Sequence, residues 1–501
     1  MEAEFTRRGF LAASAALAAT AAIPRPAFAQ SAPLSLTAAT RVIEVRGRAA
    51  TVMGLVDGTG RQGLILDPGQ RFRVDLTNTL DEEMIIHWHG QIPPNVQDGV
   101  PNLPLPLLRP GETRSFDYLP GPGTHWMHSH VPVQEMNLLA APLIVRRPED
   151  MTADRQDVVM FLHDFSFRPA AEVMAEITQG AAHHDMGAMD APAQTPDGMS
   201  GMGHSGMSMP GMMADGAGQM RMGGMVMDLN DFDFDAYLAN DRTLADPDVI
   251  AVERRGRILL RVINAAAATA FWIDTGAIPA RLVAVDGHKV EPLAGTRFGL
   301  AMAQRLDLEI DLPDARAFPI LALREGARER TGIILATTGA EVRRIDDLAV
   351  SESGAFDTDL GQEGMLRAAL AEATIPLAPR PVDRSHMIML GGSMQPYLWT
   401  INGQTWGNHT PLTARTGERV HLSFHNMSMM GHPMHLHGHV FQVVNVNGRS
   451  LNGANRDTVY VPPMSMVTIA LDAGEAARWM LHCHHMPHLS TGMMTEFAVS
   501  A

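Results

Sequence analysis

Cysteine is almost missing from this chain of 501 residues, because Cys483 is the only one. A single thiol cannot form an intrachain disulfide, so the fold must be stabilised in another way. Beyond the first thirty residues no stretch approaches eighteen consecutive apolar residues, which predicts a mature chain without a membrane-spanning helix. A positive net charge is also lacking. The formal value of -16 argues against a nucleic-acid partner, which would need clustered Lys and Arg.

The first residues have the pattern of an export signal. A twin-arginine motif, Thr6-Arg7-Arg8-Gly9-Phe10-Leu11, begins an apolar run that ends at Ile23. Small residues at Ala27 and Ala29 then match a cleavage site, which predicts a signal peptide over 1–29 and a mature start at Gln30. We therefore expect the twin-arginine export machinery to carry the folded protein into the bacterial periplasm.

Most of the remaining chain has the pattern of short alternating strands. The runs 71–76, 257–263 and 420–424 alternate apolar with polar residues, and 45 Gly and 33 Pro suit a turn-rich β protein. Three of these strands follow a Gly-containing turn and end in Asn, with the sequences VDLTN, LRVIN and LSFHN. This repeat predicts an all-β protein built from three copies of one β-sandwich.

The same pattern predicts domains at 30–150, 151–345 and 381–501, with a linker over 346–380 that contains a short helix at 361–373. Residues 183–227 interrupt the middle domain. They hold 12 of the 35 Met, are rich in Gly and have no useful periodicity, which predicts a flexible insertion. This Met-rich segment is either low-complexity drift or a device for soft-metal capture, because thioethers prefer Cu(I).

Histidine is concentrated in four clusters. They are His87-Trp88-His89, His128-Ser129-His130, His432-Pro433-Met434-His435-Leu436-His437 and His482-Cys483-His484. In a strand, residues i and i+2 point to the same face about 6.5–7 Å apart, so each His-X-His can present two imidazoles to neighbouring metals. The four pairs supply eight imidazoles, which suit three coppers. Beside the last pair, Cys483 with His488 and Met493 matches a blue-copper centre of thiolate, imidazole and distant thioether.

The four clusters resemble the copper-binding motifs of the three-domain multicopper oxidases, the laccase-like family. The resemblance covers the mature chain in domain count and motif order. It implies three cupredoxin-like Greek-key β-sandwiches and four copper ions, one type 1, one type 2 and a type 3 pair. It also implies reduction of O₂ to water by electrons from a small reducing substrate. The chain is expected to be a monomer.

The resemblance assigns each copper its ligands. The type 1 copper takes His432, Cys483, His488 and Met493. The type 2 copper takes His87 and His435. One type 3 copper takes His89, His128 and His484, and the other takes His130, His437 and His482. Three further histidines beside these ligands, His125, His439 and His485, are interpreted as supporting residues.

Two residues are predicted to be catalytic. Cys483 carries electrons from the type 1 copper to the cluster through its flanking histidines. Asp98 follows His87 by eleven residues and matches the family's acid near the type 2 copper, so we predict a proton relay, with a turn-forming Asp as the alternative. Some bacterial members have a second acid directly after the last type 1 histidine, but Leu489 occupies that position here.

Three features favour Cu(I) as the substrate, as in bacterial periplasmic copper-tolerance oxidases. These are the Met-rich segment, the periplasmic address, and the methionines before His432, of which Met429 and Met430 are predicted to bind the substrate. One departure weakens the match, because Ser428 replaces the family's acidic partner. A carboxylate from elsewhere could substitute for it, and the candidates are Asp228, Asp231 and Asp233.

Other functions fit part of the pattern. A laccase acting on phenols or aromatic amines would use the same four coppers. A copper-storage protein without catalysis would use mainly the Met-rich segment. A two-copper nitrite reductase fits less well, because it needs fewer histidine pairs than this chain has.

Overall fold

The computed structural model describes residues 32–179, 229–314, 316–355 and 372–501, and the backbone of 221–222 and 225–226. The predicted signal peptide, Asp228, almost all of the Met-rich segment and most of the helix predicted at 361–373 lie outside the described residues. Within the described parts of the chain, no helix is long and apolar enough to cross a membrane.

The first sandwich is formed by two four-stranded sheets. Its strands are β1 (Leu34–Val45), β2 (Arg48–Asp57), β3 (Leu64–Leu66), β4 (Phe72–Asn78), β5 (Ile86–His89), β6 (Thr113–Tyr118), β7 (Gly123–Ser129) and β8 (Ala140–Val145). The sheet orders are β2-β1-β4-β6 and β3-β8-β7-β5. Two 3-10 turns (Asn95–Gln97 and Pro148–Met151) and helix α1 (Pro132–Met136) complete this unit. The strands β5 and β7 carry histidine clusters.

The second sandwich begins after Pro148–Met151 and has a six-stranded and a five-stranded sheet. Its elements are β9 (Gln156–Phe165), α2 (Ala170–Thr178), β10 (Arg221–Met222), β11 (Met225–Val226), β12 (Ala236–Ala239), β13 (Asp248–Val252), β14 (Arg257–Asn264), β15 (Phe271–Asp274), β16 (Ala280–Val285), β17 (His288–Gly295), β18 (Arg297–Leu300), β19 (Arg305–Asp311), β20 (Ala317–Arg324) and β21 (Arg330–Thr337). The sheet orders are β12-β9-β14-β19-β16-β17 and β13-β21-β20-β15-β18, and β10 pairs only with β11.

The third sandwich has a seven-stranded and a five-stranded sheet. Its elements are β22 (Arg384–Met394), β23 (Tyr397–Ile401), β24 (Leu412–Arg415), β25 (Arg419–Asn426), β26 (His432–Leu436), β27 (Phe441–Val446), β28 (Arg449–Ser450), β29 (Asn455–Arg456), β30 (Thr458–Val461), β31 (Met466–Asp472), β32 (Arg478–Cys483), α3 (Met486–Ser490) and β33 (Met494–Ser500). The sheet orders are β23-β22-β25-β31-β27-β28, with β29 on β27, and β24-β33-β32-β26-β30.

The three Asn-ended strands form the same corner in each sandwich. β4, β14 and β25 each pair in parallel with the first long strand of their own unit, β1, β9 and β22. Oδ1 of Asn78, Asn264 and Asn426 accepts a hydrogen bond from the N–H two residues later, at 3.0, 3.0 and 2.9 Å. Each Nδ2 donates to a backbone carbonyl of the same unit, that of Leu108, Leu300 or Val461. The structure therefore repeats one unit three times.

Alternation along the strands places one apolar cluster inside each sandwich. In β4, for example, Phe72, Val74 and Leu76 are buried while the residues between them are partly exposed. The helices α1 and α2 leave the first two units and pack their apolar sides onto the core of the third. These contacts hold the first and third units together around the histidine clusters.

Candidate metal centre

Paired strands position the histidine clusters. In the first unit β5 runs antiparallel to β7, so His87 lies opposite His128. In the third unit β26 runs antiparallel to β32, with His435 opposite His482 and Met434 opposite Cys483. Alternation therefore directs Cys483 to the core side, away from the two histidines that flank it. All eight imidazoles of the His-X-His pairs are buried where the first and third units meet.

Hydrogen bonds decide which ring nitrogen of each imidazole faces the others. Nδ1 of His87, His435 and His482 donates to a backbone carbonyl at 2.8, 2.8 and 3.0 Å. Nδ1 of His437 donates to the carboxylate of Asp98 at 2.8 Å. Because a carbonyl and a carboxylate oxygen accept, Nδ1 carries the proton in these four rings and Nε2 presents a lone pair.

These lone pairs face one another at short range. Nε2 of His87 is 3.4 Å from Nε2 of His435, and Nε2 of His437 is 3.1 Å from Nε2 of His482. Neither pair has a proton to share, so a cation between the nitrogens removes their repulsion. An imidazole nitrogen lies about 2.0–2.1 Å from a tetrahedral zinc ion, so two such ligands are about 3.3 Å apart. The donor set therefore fits transition-metal ions.

The short contacts divide the imidazoles into three sets. His87 and His435 form one. A second joins His437 and His482 with His130, whose Nε2 is 3.3 Å from that of His437. In the third, Nε2 of His128 is 3.4 Å from Nε2 of His484. The sets follow the grouping that the resemblance implied, and the assignment of a copper type to each remains a prediction.

His89 joins the cluster through its other nitrogen. Its Nε2 donates to Oδ1 of Asp457 at 3.0 Å and also lies 3.0 Å from the Thr458 hydroxyl. Its buried Nδ1 has no hydrogen-bond partner among the residues that the structure describes. Asp457 is in turn held by both terminal nitrogens of the buried Arg305. Gly90, at φ +85°, leaves room for that guanidinium, because an added Cβ would lie 2.3 Å from it. Three domains meet at this carboxylate.

Burial keeps the cluster in the neutral state that metal binding requires. It lowers the pKa of seven of the imidazoles, those of His89, His128, His130, His435, His437, His482 and His484. For His482 the pKa falls to about 3. Neutral imidazoles offer lone pairs at physiological pH without a proton to displace.

Asp98 lies between two of the sets. Its Oδ2 accepts from His437 and its backbone carbonyl accepts from His87. Its buried Oδ1 lies 3.4 Å from Nδ1 of His87 and has no hydrogen-bond partner in the described parts of the chain. Gly99 follows with φ +88°, and a Cβ there would lie 1.9 Å from the carbonyl oxygen of Ile86. The tight turn brings Asp98 against the imidazoles of His87 and His437. Asp98 is therefore both a turn-forming residue and a residue in contact with the histidine cluster.

The predicted type 1 ligands converge in the third unit. Nδ1 of His432 is 3.2 Å from Nδ1 of His488, and Sγ of Cys483 lies 3.8 and 3.6 Å from these nitrogens. Helix α3 turns the chain back so that the N–H of Cys483 donates to the carbonyl of the buried Met493 at 3.0 Å. Burial raises the pKa of the Cys483 thiol, so a metal is needed to hold it as a thiolate.

Aromatic and acidic side chains cover this group. The ring of Trp399 packs against His488 at a tilt of 33° with ring centroids 4.1 Å apart, and Oδ2 of Asp231 lies 3.6 Å from Nε2 of His488. Tyr397 donates to the same carboxylate oxygen. Burial raises the pKa of Asp231 to about 6. Of the two candidate carboxylates that the structure describes, Asp231 is the one placed at the type 1 group. Asp233 instead accepts from Arg324.

The residues before His432 differ from expectation. Oγ of Ser428 lies 2.8 Å from Nε2 of His432, so a hydroxyl takes the place beside this imidazole where an acid was expected. Met430 is only 5% exposed and packs into the core of the third unit. Its role in binding the substrate stays a prediction. Met429 is partly exposed.

Sequence reasoning missed two carboxylates. Glu135 on α1 lies 2.7 Å from Nδ1 of His128 and 3.7 Å from Nδ1 of His484, and it shares a narrow crevice with Leu489. Burial raises the pKa of Glu135 well above its usual range. Glu135 follows His130 by five residues in the sequence, and this short spacing could have identified it as a neighbour of the cluster. Nothing in the sequence around Asp457 marked it.

The three supporting histidines lie outside these groups. Nδ1 of His439 donates to the carbonyl of His437 at 2.9 Å, and its Nε2 accepts from the N–H of Gly474 at 3.0 Å. The ring of His485 stacks on His488 at 3.9 Å. His125 is buried, and neither of its ring nitrogens has a hydrogen-bond partner within the described structure.

The structure places a buried thiol beside two imidazoles. One peptide on each side of this thiol leads to a cluster of eight further imidazoles. The arrangement defines a copper-containing oxidoreductase. Family models described as multicopper oxidase match residues 39–150, 183–340 and 379–501. The chain therefore belongs to the multicopper oxidase family, which uses oxygen as the electron acceptor and carries four copper ions.

Relatives and solved structures agree with this family. The chain is 29% identical to multicopper oxidase MmcO of Mycobacterium tuberculosis, covering 98% of this chain and 96% of that protein. It is 23% identical to copper resistance protein A of Escherichia coli, covering 95% and 94%. A multicopper oxidase structure from Pseudomonas thermotolerans matches with a TM-score of 0.66 and 21% identity, over 93% of this chain and 98% of that one. The last likeness shows the cupredoxin-like fold.

Proposed function

We propose that this multicopper oxidase is a periplasmic cuprous oxidase that protects the cell from copper. Four oxidations of Cu(I) to Cu(II) release four electrons, which together with four protons convert one O₂ into two water molecules. When bound, the four coppers supply the electron transfer and the oxygen reduction. Export by the twin-arginine route belongs to the same proposal.

The observation that carries the choice of substrate is the burial of the type 1 group. The side chains of His432, His488 and Cys483 are fully buried beneath Trp399 and the segment 229–234. A phenol donates electrons by placing its ring against an exposed imidazole edge, which this arrangement does not offer. A small ion needs only a thioether or carboxylate near the cover. The relatives named copper resistance protein A point in the same direction.

Cys483 links the two metal groups through the chain itself. Its backbone joins it directly to His482 and His484, whose rings lie in different sets of the cluster. In addition its carbonyl accepts a hydrogen bond from Nδ1 of His482 at 3.0 Å. An electron that reaches the sulfur therefore has a covalent path and a shorter hydrogen-bonded path to the cluster.

Asp98 is the proposed proton relay. Its Oδ2 is held by His437. Its Oδ1 is buried 3.4 Å from Nδ1 of His87 and has no hydrogen-bond partner among the described residues, so this oxygen can take up a proton. Glu135 is a second buried carboxylate, on the side of the cluster where Leu489 replaces the acid of other bacterial members.

Substrate docking is assigned to Met429 and to the Met-rich segment, which would collect Cu(I) and pass it toward Asp231. Asp231 holds negative charge 3.6 Å from an imidazole of the type 1 group. A carboxylate there favours the departing Cu(II), since oxygen ligands suit the harder ion.

Steady-state oxygen consumption tests the function directly. The copper-loaded full-length protein would be supplied with Cu(I), Fe(II), Mn(II) or a phenol, and compared with a variant lacking residues 183–227. We expect fastest turnover with Cu(I), and a selective loss of that activity in the deletion variant.

Two results would replace the proposal. Faster turnover of phenols, with Cu(I) oxidation unchanged by the deletion, would identify a laccase. Binding of Cu(I) without oxygen consumption would identify a copper store.

A further inference from the structure

The outer face of the large sheet in the third unit carries a row of soft-metal donors. The register of β22, β25 and β31 places Met389 opposite His425, and His425 opposite Met466. Each of the three is partly exposed, and its neighbours along the strand, such as Leu390 and Phe424, are buried. All three side chains therefore lie on the solvent side of the sheet, in adjacent strands.

Exposed methionines border this row. Four methionines are largely exposed within the described residues, and three of them are near it: Met387 at 54%, Met427 at 58% and Met464 at 53%. Met387 lies two residues before Met389 on the same face of β22. Met427 follows β25, and Met464 precedes β31. Exposure of a long apolar side chain to water does not stabilise the fold, so a group of exposed methionines indicates a binding site.

The backbone around the row is held in place. The N–H of Met389 donates to the Asn402 side chain, and the N–H of Met466 to the Asn447 side chain, both at 2.8 Å. Met464 has φ +51°, a left-handed conformation that is costly for a residue with a side chain. Such strain persists where the surroundings enforce it and is concentrated at functional sites.

We propose that Met389, His425 and Met466 bind a Cu(I) ion on this surface, with Met427 and Met464 as further thioether donors. His425 and Met466 are paired across antiparallel strands, where Cβ atoms lie about 4.5–5.5 Å apart. Met389 is paired with His425 across parallel strands, which lie about 4.8 Å apart, so the three side chains can converge on one ion. Thioether and imidazole donors select Cu(I) over hard cations such as Mg²⁺ and Ca²⁺. This surface Met/His site uses only residues outside the four predicted copper centres.

The surface Met/His site lies close to the type 1 group. The N–H of Met464 donates to the carbonyl of Ser428 at 3.3 Å, and the hydroxyl of Ser428 lies 2.8 Å from Nε2 of His432. Ser428 therefore connects Met464, a proposed donor of the surface site, to His432, a predicted type 1 ligand. Delivery of electrons along this link rests on the proposed function, whereas binding of the ion does not.

Protection of individual methionines from oxidation tests the site. Peroxide converts a free thioether to the sulfoxide, and a sulfur bound to a metal ion reacts more slowly because its lone pair is engaged. The copper-loaded full-length protein would be treated with peroxide with and without Ag(I), a redox-inert substitute for Cu(I). Peptide mass spectrometry then gives the oxidation rate of each methionine, so binding by the Met-rich segment does not interfere.

We expect Ag(I) to slow the oxidation of Met389 and Met466 by about tenfold or more, with Met427 and Met464 also protected. Met151, which is 51% exposed in the first unit, serves as the matched control and should react at an unchanged rate. The variant His425→Gln should lose most of the protection. Loss of a residue that merely supports a metal ligand already costs roughly 10–100-fold in affinity, and loss of a ligand should cost at least as much.

Equal oxidation rates of Met389 and Met466 with and without Ag(I) would overturn the site, as would full protection in His425→Gln. Oxygen uptake separates this result from the fate of the proposed function. A protein that protects these methionines but does not consume oxygen with Cu(I) keeps the site and loses the cuprous-oxidase function. A protein that oxidises Cu(I) rapidly but does not protect these methionines keeps the cuprous-oxidase function and loses the site.

Discussion

Oδ1 of Asp457 accepts a hydrogen bond from Nε2 of His89 at 3.0 Å, across 368 residues of sequence. This contact makes His89 the one cluster imidazole whose Nε2 is engaged by a carboxylate, so that Nδ1 is left to face a metal. The carboxylate is itself held by Arg305 from the second unit. A domain that contributes no predicted copper ligand therefore helps to orient one.

The variant Asp457→Asn should weaken copper binding at the set containing His89, His128 and His484. The amide can donate a hydrogen bond from its NH₂ to Nε2 of His89. Nδ1 then carries the ring proton and cannot bind the copper. Loss of such a partner costs roughly 10–100-fold in metal affinity. Copper content per chain and the EPR spectrum measure this, because losing one member of the coupled pair leaves an unpaired Cu(II) signal on the other.

Asp286→Asn is the matched control for that variant. Asp286 lies 3.6 Å from Arg305 in the same buried charge group but does not contact His89. It should perturb stability without a new EPR signal. Identical spectra for the two variants would mean that the charge group matters only for folding.

Cys483→Ser should abolish the blue colour and turnover while leaving three of the four coppers bound. The hydroxyl is a poor ligand for the type 1 copper, whereas the backbone that carries His482 and His484 is unchanged. Absorption spectra with copper analysis test this. A variant that keeps its colour would remove Cys483 from the electron path.

Met493→Leu should keep the blue colour and raise the reduction potential of the type 1 copper. The thioether is a weak axial ligand that tunes the potential, and Leu fills the same buried space without donating. Redox titration followed by absorption measures the change. Loss of colour would assign the axial position to another residue, with Met494 the neighbouring candidate.

Removal of copper should lower the thermal stability of the first and third units more than that of the second. The facing lone pairs of His87 and His435 then lose the cation between them, and these residues come from different units. A ligand present at about 1,000 times its dissociation constant stabilises by roughly 4 kcal/mol. Calorimetry of the copper-loaded and chelator-treated protein should show a separate, less shifted transition for the second unit.

Asn264→Ala should destabilise the second unit by about 2–5 kcal/mol, because each buried polar group left without a partner costs about 1–3 kcal/mol. The amide of Asn264 is fully buried and bonds to the carbonyls of Thr269 and Leu300 and to the N–H of Ala266. Asn408→Ala, at an exposed position, is the control and should change stability by less than about 0.5 kcal/mol. Equal shifts of the thermal midpoint would show that the corner is not a stabilising element.

Much of the fold could be predicted because it depends on local pattern. The strand expected at 257–263 appears as Arg257–Asn264, and that at 71–76 as Phe72–Asn78. Each ends within a residue or two of its turn signal, because alternation of apolar and polar residues specifies a half-buried strand. The packing of α1 and α2 onto the third unit was not predictable, since short helices on loops have no pattern that names their partner.

Residue type and spacing alone singled out the histidine pairs and Cys483, because alternation along a strand predicts that His482 and His484 share one face and Cys483 takes the other. The copper that each residue binds stays a prediction that the family resemblance implies. Tertiary packing decided everything that comes from far away in the chain. Asp457 approaches His89, Glu135 approaches His484, and Asp231 approaches His488 only once the three sandwiches are packed together. The contacts of Asp457 with His89, Glu135 with His484 and Asp231 with His488 join residues hundreds of positions apart, and no local periodicity encodes which of them meet.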